Sequence, residues 1–272
     1  MSTDIEIIKN IVTANSIAVY EDAAQPAVRV LGKTLAQCVS LFATPIGRVA
    51  EISEKNIHRY LDKLKGLTED QITNPDTRIL VPILEKMRYT DDELVADYYA
   101  QILATASTTE SAKLVSVAFI EILNRLSADE LKMIEYINSP TNSLTLKKDD
   151  DTTYLLGLEG TLPVINVHIQ RNTGGYYVAI KNLSYILNVI KLDSPSNYNL
   201  YIDNMVALGI MIKPFGTSSN DKNVYKFIKG LQAEEINKIQ SSLDTEHTID
   251  FSEARIELTD LGHQLIRVGS SK

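Results

Sequence analysis

"YTDDELVADYYAQILATA", residues 89–106, places three acids ahead of an apolar stretch that holds two tyrosines. Read as local physics, the stretch is the start of a helix. Thr90 and Glu93 have the spacing of a capping box, in which a hydroxyl and a carboxylate each satisfy an orphan backbone N–H. Asp91 and Asp92 then fall in the first turn, where the helix dipole favours each negative charge by roughly 0.3–1 kcal/mol. Beyond the cap, Leu94, Val95, Tyr98, Tyr99, Ile102, Leu103 and Ala106 recur at helical spacing and form a broad buried stripe, with Glu93, Asp97 and Gln101 opposite. Consecutive helical residues point about 100° apart, so the acids do not converge on a cation by themselves.

Helical patterning extends outward on both sides. In "NIHRYLDKLKGL", Ile57, Tyr60, Leu61 and Leu64 share one face. "TNPDTRILVP" supplies a turn, and "ILEKMRY" begins another short helix. Ser127 and Glu130 repeat the capping-box spacing ahead of Leu131, Ile134 and Ile137. Residues 1–126 are therefore expected to form a helical domain.

After Pro140 the texture changes. Residues 141–153, "TNSLTLKKDDDTT", are polar and turn-rich and are expected to form a mobile loop. "PVINVHIQRNTGGYYVAI" alternates as a strand, with Ile165, Val167 and Ile169 on one face, and "RNTGG" supplies a hairpin turn. "NYNLYIDNMVALGI" returns to helical spacing and Gly209 is placed to end it. "LQAEEINKIQSSL" is another helix, and "ARIELTDLGHQLIRV" reads as a strand leading into a helix with Thr259 as N-cap. The expected fold class is α+β, predominantly α-helical: a helical N-terminal half followed by a winged-helix-like domain over residues 127–272.

Composition narrows the function classes. The 272 residues are 44% hydrophobic and 23% charged, enough to bury a core. The net charge is −8 and both halves are acidic, which argues against affinity for nucleic acid by bulk charge. The single cysteine, Cys38, cannot form an internal disulfide and fits a reducing compartment. "MSTDIEIIKN" carries acids where a signal peptide needs a basic flank. The longest uncharged apolar stretch, residues 34–47, falls short of the ~20 residues that span a bilayer, and Pro45 interrupts it. A cytoplasmic protein without a transmembrane segment is expected.

Motifs for chemistry are missing from the reading. "GKT" at 32–34 has Ala27 where a phosphate-binding loop needs its first glycine. Asp149, Asp150 and Asp151 lie beside Lys147 and Lys148 in polar sequence and read as solvated. The histidines at 58, 168, 247 and 263 have no metal-ligand spacing, and Cys38 reads as a small buried hydrophobe. Tyr98 and Tyr99 read as core. No catalytic, metal or cofactor residue is assigned. The helix at 197–208, where a winged helix would meet DNA, offers Asn197, Asn199, Asp203 and Asn204 and no Lys or Arg. Together with Asp91, Asp92, Glu93 and Asp97, these four form the candidate interaction surface for a protein partner; a homo-oligomer is compatible with the sequence and nucleic acid is not favoured.

In order along the chain, "YLDKLKGLTEDQI", "RILVPILEKMRYTDDELVADYYAQILATAS", "FIEILNRLSADELKMI", "YIDNMVALGI" and "IELTDLGHQLI" resemble the Abi-alpha family of bacterial abortive-infection proteins, from about Tyr60 to Ile266. The chain departs from the family pattern at Tyr98–Ala100 and at Ser116–Val117. The resemblance implies a role in defence against phage and supplies no catalytic residue to carry over. The expected function is a non-enzymatic protein acting by protein–protein interaction. The alternatives are a winged-helix DNA-binding regulator and a membrane-active effector that releases segment 34–47.

Overall fold

The computed structural model describes residues 25–40, 47–139, 145–147, 153–155, 160–220 and 222–271. The fold is α+β, with eleven helices and one curled four-stranded antiparallel sheet among the described residues. The chain divides into two compact units, Met1–Ala128 with Arg267–Lys272, and Asp129–Ile266.

The first unit is helical: α1 (Gln25–Ser40), α2 (Arg48–Lys63), α3 (Thr77–Met87), α4 (Glu93–Ala106) and α5 (Val117–Leu123). The opening stretch is its central element, since α2, α3 and α5 all pack on α4. Tyr98, Tyr99, Ile102, Leu103 and Ala106 are buried as their spacing requires, while Leu94 and Val95 are only half-buried. Ala96, Ala100 and Ala104 are buried as well and recur every four residues. Small side chains on that strip let a neighbouring helix approach closely. Ile57, Tyr60, Leu61 and Leu64 are buried on one face of α2.

The helix start differs from its expected form. Asp92, not Thr90, is the N-cap of α4, and its Oδ1 accepts from the N–H of Leu94 and of Val95 at 3.0 Å each. Thr90 donates its hydroxyl to the Lys86 carbonyl at 2.9 Å, finishing α3. The aspartate arm is short enough to turn straight onto the first free N–H groups, so the capping-box spacing lost to a nearer acceptor. The preceding helix also starts earlier than its turn signals imply. Asp76 caps it by accepting from Arg78 N at 2.8 Å, and α3 runs through Pro82.

The second unit holds α6 (Ala128–Asn138), β1 (Thr145–Lys147), β2 (Thr153–Leu155), β3 (Thr161–Arg171), β4 (Tyr176–Leu183), α7 (Ile186–Val189), α8 (Tyr198–Ala207), β5 (Met211–Ile212), α9 (Asn223–Leu231), α10 (Ala233–Ser242) and β6 (His247–Leu258), and α11 (Asp260–Gly269) crosses into the first unit's last residues. Within the polar stretch expected to be a loop, residues 141–153, β1 forms and pairs antiparallel with β2, which begins at the last residue of that stretch. Their strands are three residues each, too short for alternation to register in sequence. Asp149–Asp151 lie outside the described residues, as do residues 41–46 and the Cys38 side chain; "GKT" sits in α1.

The sheet order is β4-β3-β6-β5. Ile165, Val167 and Ile169 are buried on one face of β3. There α9 covers them, with Val224, Tyr225 and Ile228 fully buried and the Tyr225 hydroxyl donating to the Ala254 carbonyl at 2.9 Å. The hairpin turn uses Gly174 and Gly175 at φ 97° and 84°, a region closed to most side chains. Thr259 caps α11 by accepting from Gly262 N at 3.1 Å, as expected.

Candidate partner-binding surfaces

In the first unit the acids of the opening stretch meet a basic row on α2. Arg48, Lys55, Arg59 and Lys63 repeat at seven- and four-residue spacing. Arg48 pairs with Asp91, Lys55 and Arg59 both pair with Glu93, and Lys63 reaches Asp97 at 2.8 Å. Ser271, near the chain end, donates to Asp97 at 2.6 Å and accepts from Lys63 at 2.6 Å. Hydrogen bonding to Lys55 and the nearby Arg59 hold the Glu93 carboxyl below its ordinary range. Partial burial pulls the Asp97 carboxyl upward, but Lys63 and Ser271 outweigh it and leave it low as well. The acidic rim is therefore a matched ion ladder in which all four carboxylates have intramolecular partners. The basic row was visible in sequence at i, i+4 spacing; its pairing across helices was not.

Exposed ion pairs stabilise little because water and salt screen them. The Glu93 side chain is 66% exposed, so Glu93→Gln is expected to cost no more than about 0.5 kcal/mol, and less at high salt. Urea midpoints at low and high ionic strength check this. Buried Asn56 contributes more to the same helix pair. Its Nδ2 donates to the carbonyls of Met87 and Thr90 at 2.7 and 2.8 Å, satisfying the end of α3 from α2.

In the second unit α8 is fastened through its polar side chains. Asn204 donates to Glu130 Oε1 at 2.7 Å, Asn182 donates to Asn199 Oδ1 at 2.8 Å, and Lys213 pairs with Asp203 at 3.0 Å. Asn197, at the N-cap position, is exposed and makes no capping bond. Asp129 organises this end of the unit. Its buried carboxylate accepts from Asp193 N at 2.8 Å, Ser194 N at 2.9 Å, the Tyr201 hydroxyl at 3.1 Å and Lys132 Nζ at 3.2 Å. Desolvation pushes the Asp129 pKa up, and those donors more than offset it, so the net direction is down. In sequence the first turn of α6 looks like an ordinary capped helix start, and nothing local marks this tertiary role.

What α8 leaves outward is apolar and acidic. Asn199, Leu200, Asp203 and Ala207 are exposed, with Leu200 at 64%. Beyond Lys213, which is tied to Asp203, Phe215 is fully exposed, and Ile212 of β5 is 49% exposed. No Lys or Arg stands on α8 to meet a phosphate backbone.

The histidines are dispersed. His58 lies 3.9 Å from Glu54, His247 beside Asp244, and His263 beside Asn138. His168 contacts Ser252 Oγ at 2.7 Å, and the ring packs edge-on against Tyr176. Among the described residues no three His, Cys, Asp or Glu side chains gather as metal ligands would, and no helix is long and apolar enough to cross a membrane.

Compared with known protein families, residues 51–268 match abortive infection alpha. The chain belongs to the abortive infection alpha family. That span contains both α4 and the sheet of the second unit, and the membership points to abortive-infection phage defence. No curated protein matches the chain. Among solved structures, an uncharacterized protein from the hydrocarbon-degrading marine bacterium Alcanivorax borkumensis SK2 aligns at 14% identity and a TM-score of 0.32, over 59% of this chain and 96% of that one.

Proposed function

We propose that this abortive infection alpha protein is a cytoplasmic, non-enzymatic phage-defence protein that acts by binding a protein partner through the surface around α8 and β5. The observation that carries the reading is the exposure of three large apolar side chains, Leu200 on α8, Ile212 on β5 and Phe215 just after it, on two segments that the Asp203–Lys213 pair ties together. Large apolar groups held in water favour burial against a partner, and an aromatic anchor such as Phe215 is the kind of residue that dominates such interfaces.

We read the second unit as winged-helix-like. The order α6, β3, α7, α8, β5, β6, with β6 lying between β3 and β5, supports that reading. Helices α9 and α10 stand between β5 and β6, where a wing would be, and β4 extends the sheet. On this reading α8 occupies the recognition-helix position but presents Leu200 and Asp203 in place of cations, which favours protein over DNA.

The test is phage plaquing and infected-cell survival in bacteria expressing the chain. Wild type is expected to reduce plaquing with early death of infected cells. Phe215→Ser and Leu200→Ser are expected to fold normally and to abolish protection, in line with a roughly thirtyfold loss of partner affinity for a truncated anchor. Leu103→Pro, which breaks α4 at a cost of at least about 3 kcal/mol, serves as the unfolded control. Full protection by both surface variants would overturn the assignment of this surface, and unchanged plaquing with wild type across a broad phage panel would overturn the role.

A further inference from the structure

Strand β4 ends the sheet. Its inner side pairs with β3, and among the described residues no strand pairs with its outer side. Tyr176, Tyr177 and Val178 are 68%, 51% and 37% exposed, an apolar run on an open edge. Sheets ordinarily blunt such edges, because the unpaired N–H and C=O groups template another strand. The outward groups follow from the ladder. Arg171 N donates to Gly175 O at 3.1 Å, so that pair is hydrogen-bonded. Alternation then makes Ile169–Tyr177 the next bonded pair and leaves Tyr176 and Val178 with their N–H and C=O turned outward.

Charge selects the occupant. The hairpin 161–183 contains no Asp or Glu, although the chain carries 35 acids against 27 Lys and Arg. Lys181 is exposed on β4 itself and Arg171 is exposed at the end of β3, at the turn end of the same hairpin, and neither pairs with a carboxylate among the described residues. Two copies joined antiparallel through β4 about Val178 would bring each Lys181 to the other copy's turn end, beside Arg171, with no acid in either hairpin to offset the like charges, which opposes self-pairing. An extended segment with an acidic residue at each flank would meet both cations. Its inward side chains would lie beside Tyr177, which stands on the face that α9 covers further in.

We propose that the outer edge of β4 is a strand-addition site for an extended, apolar segment of another protein flanked by Asp or Glu. Main-chain hydrogen bonds to Tyr176 and Val178 supply the attachment, and Lys181 and Arg171 select the acidic flanks. This is a second surface, and its test reads binding, so its outcome is separable from the plaquing assay above.

The full-length protein is used to select from a displayed random-sequence peptide library, and the enriched peptides are titrated by fluorescence anisotropy. Enriched sequences are expected to alternate apolar residues between acidic ends. Val178→Pro removes an outward donor without touching the β3 ladder, a placement that edge strands tolerate, and is expected to weaken those peptides by about tenfold or more at an unchanged melting temperature. Lys181→Glu keeps every backbone group and is expected to weaken acidic-flanked peptides severalfold, so it decides the matter if the proline variant does not fold. Enrichment without alternation or acids, or equal binding by both variants, would overturn the proposal. So would a dimer in sedimentation that Val178→Pro dissolves, since the edge would then belong to a second copy.

Discussion

Asparagine at position 129 is expected to lower the unfolding free energy of the Asp129–Ile266 unit by about 3 kcal/mol. The Asp129 side chain is 4% exposed and faces four donors: two backbone N–H groups of the Asp193–Ser194 turn, the Tyr201 hydroxyl and the Lys132 ammonium. An amide keeps one acceptor oxygen and sets its own N–H against donors, leaving buried groups unsatisfied. Lys132 also keeps its 2.7 Å contact with exposed Asp193, so the loss concentrates on the turn and on Tyr201 of α8. Because the folded pKa of Asp129 is depressed, its stabilisation is fully present above the unfolded carboxylate value of about 3.9 and is lost as pH falls through the folded value. Urea denaturation across pH should therefore show a wide gap between wild type and Asp129→Asn near neutrality that narrows with acidification. A gap constant down to the lowest pH would mean that the carboxylate charge contributes nothing.

Alanine at position 262 is the second large effect. A Cβ added to Gly262 would lie 2.5 Å from the Ile210 carbonyl oxygen and 3.0 Å from Ile210 Cγ2. That carbonyl is fixed, since it accepts from Thr259 N at 2.9 Å and from the Thr259 hydroxyl at 3.1 Å. The first turn of α11 must then move away from the start of β5, and overpacking of this kind costs about 3 kcal/mol. Gly230 is the matched control. It lies in α9 with nothing within 4 Å of an added Cβ, so Gly230→Ala is expected to raise stability by about 0.5–1 kcal/mol through the unfolded chain. Thermal melts of the two variants should shift in opposite directions; a destabilised Gly230→Ala would show that chain entropy is not what separates them.

Some elements were legible because a short-range rule fixed them. The buried face Ile57, Tyr60, Leu61 and Leu64 follows from period 3.6, and Ile165, Val167 and Ile169 from period 2. Thr259 holds its cap position although Asp260 follows it, because its hydroxyl is also fastened to the Gly209 and Ile210 carbonyls while accepting from Gly262 N. Thr90 does not hold the α4 cap, because Asp92 lies two residues closer to the free N–H groups and Lys86 offers its hydroxyl another acceptor. The family was legible too, since ordered blocks of sequence survive without any one of them being diagnostic.

The candidate surfaces were less legible, for a different reason. An acid in the first turn of a helix looks the same in sequence whether it favours the dipole, as Asp92 does at the cap, or collects a distant turn, as Asp129 does at the Asp193–Ser194 backbone. Exposure of Phe215, or of an edge strand, depends on which element the fold leaves uncovered. By itself the sequence determined the helix and strand periodicities, the glycine turn at 174–175 and the acidic balance, all of which are set by neighbours within a few residues. Tertiary structure alone decided that the acids of α4 meet the basic row of α2, that Asp129 closes the turn before α8, and that β4 stands at the edge of its sheet. Those outcomes depend on partners tens of residues away, and local propensity carries no information about them.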